Sequence, residues 1–244
     1  MIIANKSLGQ NFLKDKYYLD LISSACTQYD LDIIEIGCGT GSLTEHILQK
    51  TQKNVFGIEI DGRMQIFLDS LVERYSNFQY VISDFFKLPM DYSNKLVCGN
   101  LPYNCGSKVI LTLLDNPPNA IVLMLQKEVV QKIAAKCNAA EYSGISVLIQ
   151  SLYDIKVIAN VPPSAFTPQP SIQSQVILCR RNQNKVNIAV LSDLLRKSFS
   201  CRRKIIKNTL YPFWNECTNF IDIYSRPQTI PVEKYIEMSG IYSC

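Results

Sequence analysis

The chain has 244 residues, 47% of them hydrophobic and 19% charged, and carries a net charge of +4. That is the make-up of an ordinary globular protein, large enough for one substantial core plus a small appendage. No apolar run approaches the roughly 18 residues a membrane span needs, and Met1-Ile2-Ile3-Ala4-Asn5-Lys6 is too soon interrupted for a signal peptide, so a cytoplasmic protein is expected.

The first two-thirds alternates strand-like and helix-like segments. In chain order these are a strand over 32–36, a helix over 42–50, a strand over 54–60 and a helix over 63–74. Strands follow at 78–82 and 95–99, then a helix at 107–114, a strand at 120–126 and helical patterns at 128–137 and 146–153. Strands at 156–160 and 175–179 close the series with no obvious helix between them, which predicts an antiparallel edge pair. The alternation predicts an α/β fold with a doubly wound, mostly parallel sheet. After Asn182 only helical patterns remain, at 188–199, 202–210 and 232–238. The expected domains are 1–182 and a small helical one over 183–244.

Nine cysteines include no C-x-x-C pair, and His46 is the single histidine, which argues against a metal site. Without an export signal the cysteines are expected as free thiols. Charge is unevenly spread. Between Arg180 and Lys207 there are nine basic residues and one acid, Asp193, so 28 residues carry +8. A polyanionic partner or a solvated helix face accounts for such a segment.

Gly37-Cys38-Gly39-Thr40-Gly41 follows the first strand and opens a helix, the place where a backbone closely approaches a ligand. Glu59, at the end of the next strand, is placed to accept from ribose hydroxyls. The third glycine comes one residue too early for a dinucleotide fingerprint. Glu35, just before the loop, would repel a pyrophosphate and suits a cofactor whose ammonium and sulfonium are positive, S-adenosylmethionine. Asp84 ends the third strand, where it is either an acceptor for the adenine amine or a capping residue, and Phe85 can cover the adenine ring.

Asn100-Leu101-Pro102-Tyr103 leaves the fourth strand on the edge where α/β sheets bind ligands. An exocyclic amine is a poor nucleophile because its lone pair is delocalised. Two acceptors gripping its N–H bonds favour the tetrahedral nitrogen that attacks a methyl group. The Asn100 oxygen is one, and the carbonyl of Leu101 or Pro102 the other. Pro102 stiffens the turn and Tyr103 can stack on the base. A base in folded RNA must be flipped out to reach such a pocket, and Phe166, in a proline-rich loop, is a candidate second aromatic wall.

Together with Leu8-Gly9-Gln10-Asn11-Phe12-Leu13, Leu125-Gln126-Lys127-Glu128-Val129, the stretch 161–168, Arg202-Arg203-Lys204 with Asn208-Thr209-Leu210, and 226–235, these strings resemble the small-subunit ribosomal RNA adenine N6,N6-dimethyltransferases. The resemblance implies a class I S-adenosylmethionine-dependent methyltransferase fold, a Rossmann-like seven-stranded sheet with a small all-α C-terminal domain. It implies dimethylation of two adjacent adenosines near the 3′ end of 16S rRNA, by a monomer acting on the small subunit or its precursor. By position it assigns Asn11, Leu13, Gly37, Glu59, Asp84 and Asn100 to the cofactor, while the basic segment offers Arg202, Arg203, Lys204 and Lys207 as contacts to RNA. Asn11 and Leu13 come from the resemblance alone. The rivals are the antibiotic-resistance dimethyltransferase of 23S rRNA and a non-enzymatic assembly or transcription factor on the same fold.

Overall fold

The structure, a computed structural model, describes residue 5 and residues 8–103 and 105–242. The strands are β1 (Phe12–Leu13), β2 (Asp32–Ile36), β3 (Val55–Glu59), β4 (Phe78–Ile82), β5 (Lys95–Asn100), β6 (Ala120–Gln126), β7 (Tyr153–Val161), β8 (Phe166–Thr167) and β9 (Ser174–Arg181). The helices are α1 (Lys16–Thr27), α2 (Ser42–Leu48), α3 (Gln65–Arg74), α4 (Gly106–Leu113), α5 (Lys127–Ile133), α6 (Gly144–Gln150), α7 (Ile188–Ser198), α8 (Ile206–Thr209) and α9 (Val232–Ser239).

Seven strands form one sheet in the order β4-β3-β2-β5-β6-β9-β7. The β2–β3, β2–β5, β3–β4 and β5–β6 pairs are parallel, and β9 runs antiparallel to β6. The expected mostly parallel sheet is therefore present. Strands covered on both faces read as unbroken apolar runs, and β6 is the clearest, with Ala120 to Leu125 all buried. β2 and β5 lie at the centre, so their C-terminal ends deliver the glycine loop and Asn100 side by side. A separate two-stranded antiparallel ribbon pairs β1 with β8, Leu13 opposite Phe166.

By packing, the chain divides into two compact units, one within residues 1–129 and 156–180, the other within 130–155 and 181–244. The core of the first joins α1, α2, α3 and the sheet through Ile22, Cys26, Ile33, Ile47, Leu68, Leu96 and Val122, among others. In the second, α7 starts at Asn187, whose side chain accepts from the Ala189 and Val190 N–H groups. Its buried face is Leu191, Leu194, Leu195 and Ser198, the spacing of one helical stripe. Phe199 packs between Tyr142, edge to face, and Tyr235, and the Tyr142 hydroxyl donates to the Ile230 carbonyl at 2.9 Å.

Three helical expectations change. α1 has no counterpart among the expected helices. The 202–210 pattern contracts to α8, with the basic run preceding it in turns. The 146–153 pattern begins earlier, at a Ser143–Ser146 capping box, and ends before Tyr153, which enters β7. No helix among the described residues is long and apolar enough to cross a membrane.

Candidate active site

A cavity of about 300 Å³ opens at the C-terminal edge of the first unit's sheet. Eight of the nine residues assigned to cofactor or chemistry line it: Asn11, Leu13, Gly37, Glu59, Asp84, Asn100, Pro102 and Tyr103. Gly37 and Gly39 have φ of 77° and 54°, left-handed values that favour glycine. An alternation of such residues, closed by Gly41 at φ 77°, is what the compressed glycine spacing encodes.

Glu59 braces this loop. One carboxylate oxygen accepts from the Gly39 N–H at 2.7 Å and the other from the Asp61 N–H at 2.8 Å. Burial pushes its carboxyl above the usual range, opposed by those N–H groups. Asp84 lines the cavity and also accepts from the Phe86 N–H at 3.0 Å, so it is a capping residue and a cavity acid at once. Phe85 and Phe86 line the wall beside it in edge-to-face contact.

Glu35 is 1% exposed, lines the cavity, and has one carboxylate oxygen with no hydrogen-bond partner among the described residues. Burial raises its carboxyl to about 7, against the Thr44 hydroxyl, which lowers it, and with the Glu59 charge, which raises it. A buried unpaired acceptor is costly, and a cationic ligand would satisfy it. Among the described residues, three acids and no lysine, arginine or histidine line the cavity. That donor set fits a positively charged, phosphate-free ligand.

A pH dependence follows. Because the folded carboxyl is raised from 4.5 to about 7, the folded state holds a proton the unfolded chain has lost. The cofactor-free protein therefore loses stability as pH rises through that window. Melting temperature should fall across it, and Glu35→Gln should remove that component. An equal fall in the variant would overturn this role for Glu35.

In the tetrapeptide, the Asn100 amide nitrogen donates to the Asn11 carbonyl at 3.0 Å. The Pro102 carbonyl accepts from the Cys105 N–H at 3.2 Å and from its thiol at 3.3 Å. Among the described residues no backbone N–H donates to the Leu101 carbonyl. The Tyr103 hydroxyl pairs with the Ser174 hydroxyl at 2.8 Å, fixing the ring; Ser174 was not foreseen, lying 71 residues away in sequence.

Phe166 requires a correction. It does not line the cavity, is 2% exposed and packs in the core. The β1–β8 pairing sets it opposite Leu13. Arg202 also differs from a free phosphate contact: its guanidinium donates to the carbonyls of Ala140 and Tyr142 at 2.6 Å each. Arg203, Lys204 and Lys207 are exposed and form no ion pair among the described residues.

Residues 1–242 match the family described as ribosomal RNA adenine dimethylase. The chain belongs to that family. It is 35% identical to the ribosomal RNA small subunit methyltransferase A of Sulfurihydrogenibium sp., covering 97% of this chain and 95% of that protein. It is 37% identical to the protein of the same name from Bacillus licheniformis, over 84% of this chain and 75% of the other. Among solved structures it superposes on a dimethyladenosine transferase from Plasmodium falciparum with a TM-score of 0.80 at 24% identity, covering 94% and 98% of the two chains. The 23S rRNA methyltransferase ErmE superposes with a TM-score of 0.75 at 18% identity, covering 94% and 98%. Both structures share the fold, that of class I methyltransferases. The dimethylase is an S-adenosylmethionine-dependent methyltransferase, consistent with its acid-lined cavity.

Proposed function

We propose that this chain dimethylates the N6 amines of two adjacent adenosines near the 3′ end of 16S rRNA, acting as a cytoplasmic monomer on the small subunit or its precursor. One observation carries the reading: the acid-lined cavity and the Asn100–Tyr103 turn form a single site at the C-terminal ends of adjacent strands β2 and β5. The names of the relatives support the small subunit as substrate.

The cofactor supplies an electrophilic methyl group. Glu59 and Asp84 would hold its ribose and adenine, Gly37 its methionine part, and Asn11 and Leu13 would cover it from the N-terminal side. The Asn100 side-chain oxygen and the Leu101 carbonyl accept from the two N–H bonds of the target amine, which favours a tetrahedral nitrogen. Tyr103, held by Ser174, stacks on the flipped base. The positive charge that develops on nitrogen is relieved by loss of a proton to water, so no strong general base is required. Incubation of labelled S-adenosylmethionine with unmodified small subunits, followed by mapping, tests this. Label in two adjacent adenosines of 16S RNA is expected; label in 23S RNA would reassign the substrate.

The helical segment 183–244 takes the RNA-docking role in this reading, through Arg203, Lys204 and Lys207, while Arg202 serves that surface through its carbonyl bonds. Reversing the three exposed charges should lower the salt dependence of RNA binding by about 0.7 to 0.9 in log–log slope for each phosphate no longer neutralised. A filter-binding salt titration with an unchanged slope would leave the segment as a solvated face.

A further inference from the structure

The mechanism requires Asn100 to present its oxygen to the target amine. A carboxamide can turn over and present its NH₂ group instead, which would repel the N–H bonds it must grip. What decides between the two faces is a backbone atom 89 residues away in sequence: the Asn100 amide nitrogen lies 3.0 Å from the Asn11 carbonyl oxygen. The turned-over amide would set two acceptors against each other at that distance. The carbonyl can discriminate only if it is itself held in place.

The segment that carries it is pinned at several points. The Gln10 side chain donates to Asp61 at 2.8 Å, and its oxygen accepts from the Asn5 N–H at 2.8 Å. Asp61 is in turn held by Arg63, and its N–H by Glu59. The Phe12 ring lies against the glycine loop, where a Cβ on Gly39 would meet it at 3.2 Å. Leu13 is buried and paired with Phe166, and the Lys14 N–H donates to the Ala165 carbonyl at 2.9 Å. The strap therefore bridges the ribose acid, the glycine loop and the β8 ribbon, and crosses Asn100 on the way.

We infer that residues 10–13 form a positioning strap that sets the face of the Asn100 amide through the Asn11 carbonyl, with Gln10 as the side chain that holds the strap down. This rests on the reading of Asn100 as an acceptor for the target amine. It gives Gln10, which also lines the cavity, a part in turnover through the strap, and explains Phe166 as an anchor for that strap.

Asn100→Asp tests it, because the variant keeps two acceptors and nearly the same shape but loses the donor to Asn11. When ionised, the introduced carboxylate opposes the Asn11 carbonyl; when protonated, it donates to that carbonyl and keeps one acceptor for substrate. Glu35 from β2, Glu59 from β3, Asp84 from the end of β4, and Tyr103 and Cys105 from the turn share its cavity. The ionised acids raise the carboxyl's proton affinity, and the cofactor's positive charge opposes them.

With saturating cofactor, turnover near pH 8 should fall about 100-fold relative to wild type, and the deficit should shrink about tenfold near pH 6. Cofactor affinity, followed by calorimetry, should weaken no more than several-fold, the worth of the lost strap bond. Gln10→Ala should slow turnover about tenfold on its own and cost little in the Asn100→Asp background, since both act through one hydrogen bond. A deficit equal at both pH values, no deficit at all, or additive losses in the double variant would overturn the strap's role. Retained turnover in Asn100→Ala would instead remove the acceptor reading beneath it.

Discussion

Asn100→Ala is expected to lower turnover by on the order of 10²- to 10³-fold while cofactor affinity stays within about tenfold. The reason is when each contact is made. The bond from the Asn100 amide nitrogen to the Asn11 carbonyl exists in the protein alone, and losing it costs about 1 kcal/mol, a several-fold effect on how well the strap closes over the cofactor. The bonds its oxygen makes to the target amine strengthen as nitrogen becomes tetrahedral, so their loss falls on the rate and not on ground-state binding. Single-turnover assays on unmodified subunits beside calorimetric titration of the cofactor separate the two. Turnover within a few-fold of wild type would remove Asn100 from the chemistry and leave the Leu101 carbonyl as the sole candidate.

Much of this site is legible from sequence because parallel sheets put function at strand ends. β2, β3, β4 and β5 are short, largely apolar runs, and at the end of each or within two residues beyond it stands Gly37, Glu59, Asp84 or Asn100. A reader who finds the strands finds those residues without any knowledge of packing. What stayed hidden depends on contacts that leave no periodic trace. The Gln10–Asp61 and Tyr103–Ser174 bonds join residues 51 and 71 positions apart. Phe166 sits in a proline-rich loop that by composition belongs at a surface, but its pairing with β1 turns it into the core.

The helical unit shows the same limit from the charge side. Arg202-Arg203-Lys204 looks uniform in sequence, yet Arg202 is drawn to two carbonyls while its neighbours face solvent. Asp193 takes Arg196 and Lys197 as ion-pair partners, so two of the segment's nine basic residues are engaged within the fold. α1 escaped notice because Tyr17, Tyr18, Ser23, Ser24 and Thr27 weaken its helical pattern; it forms through an Asp15 cap and the burial of Leu19, Ile22 and Cys26.

Gly99→Ala should produce the largest combined loss of stability and activity. Gly99 lies in β5 immediately before Asn100, and a Cβ there would sit 2.3 Å from the carbonyl oxygen of Ile36, the residue just before the glycine loop. Backbone atoms cannot rotate aside as a side-chain tip can, so one strand end must shift. Overpacking of this kind costs about 1–3 kcal/mol, which for a chain of this length lowers the melting temperature by roughly 2–4 °C per kcal/mol. The same shift moves the glycine loop relative to Asn100, and a misplacement approaching 1 Å between cofactor and acceptor costs on the order of 100-fold in rate. Gly62→Ala is the control, since its Cβ would meet only the Ile82 side chain at 3.9 Å. Equal melting temperatures and equal turnover for the two variants would mean that the close approach of β2 and β5 does not govern the alignment of methyl donor and acceptor.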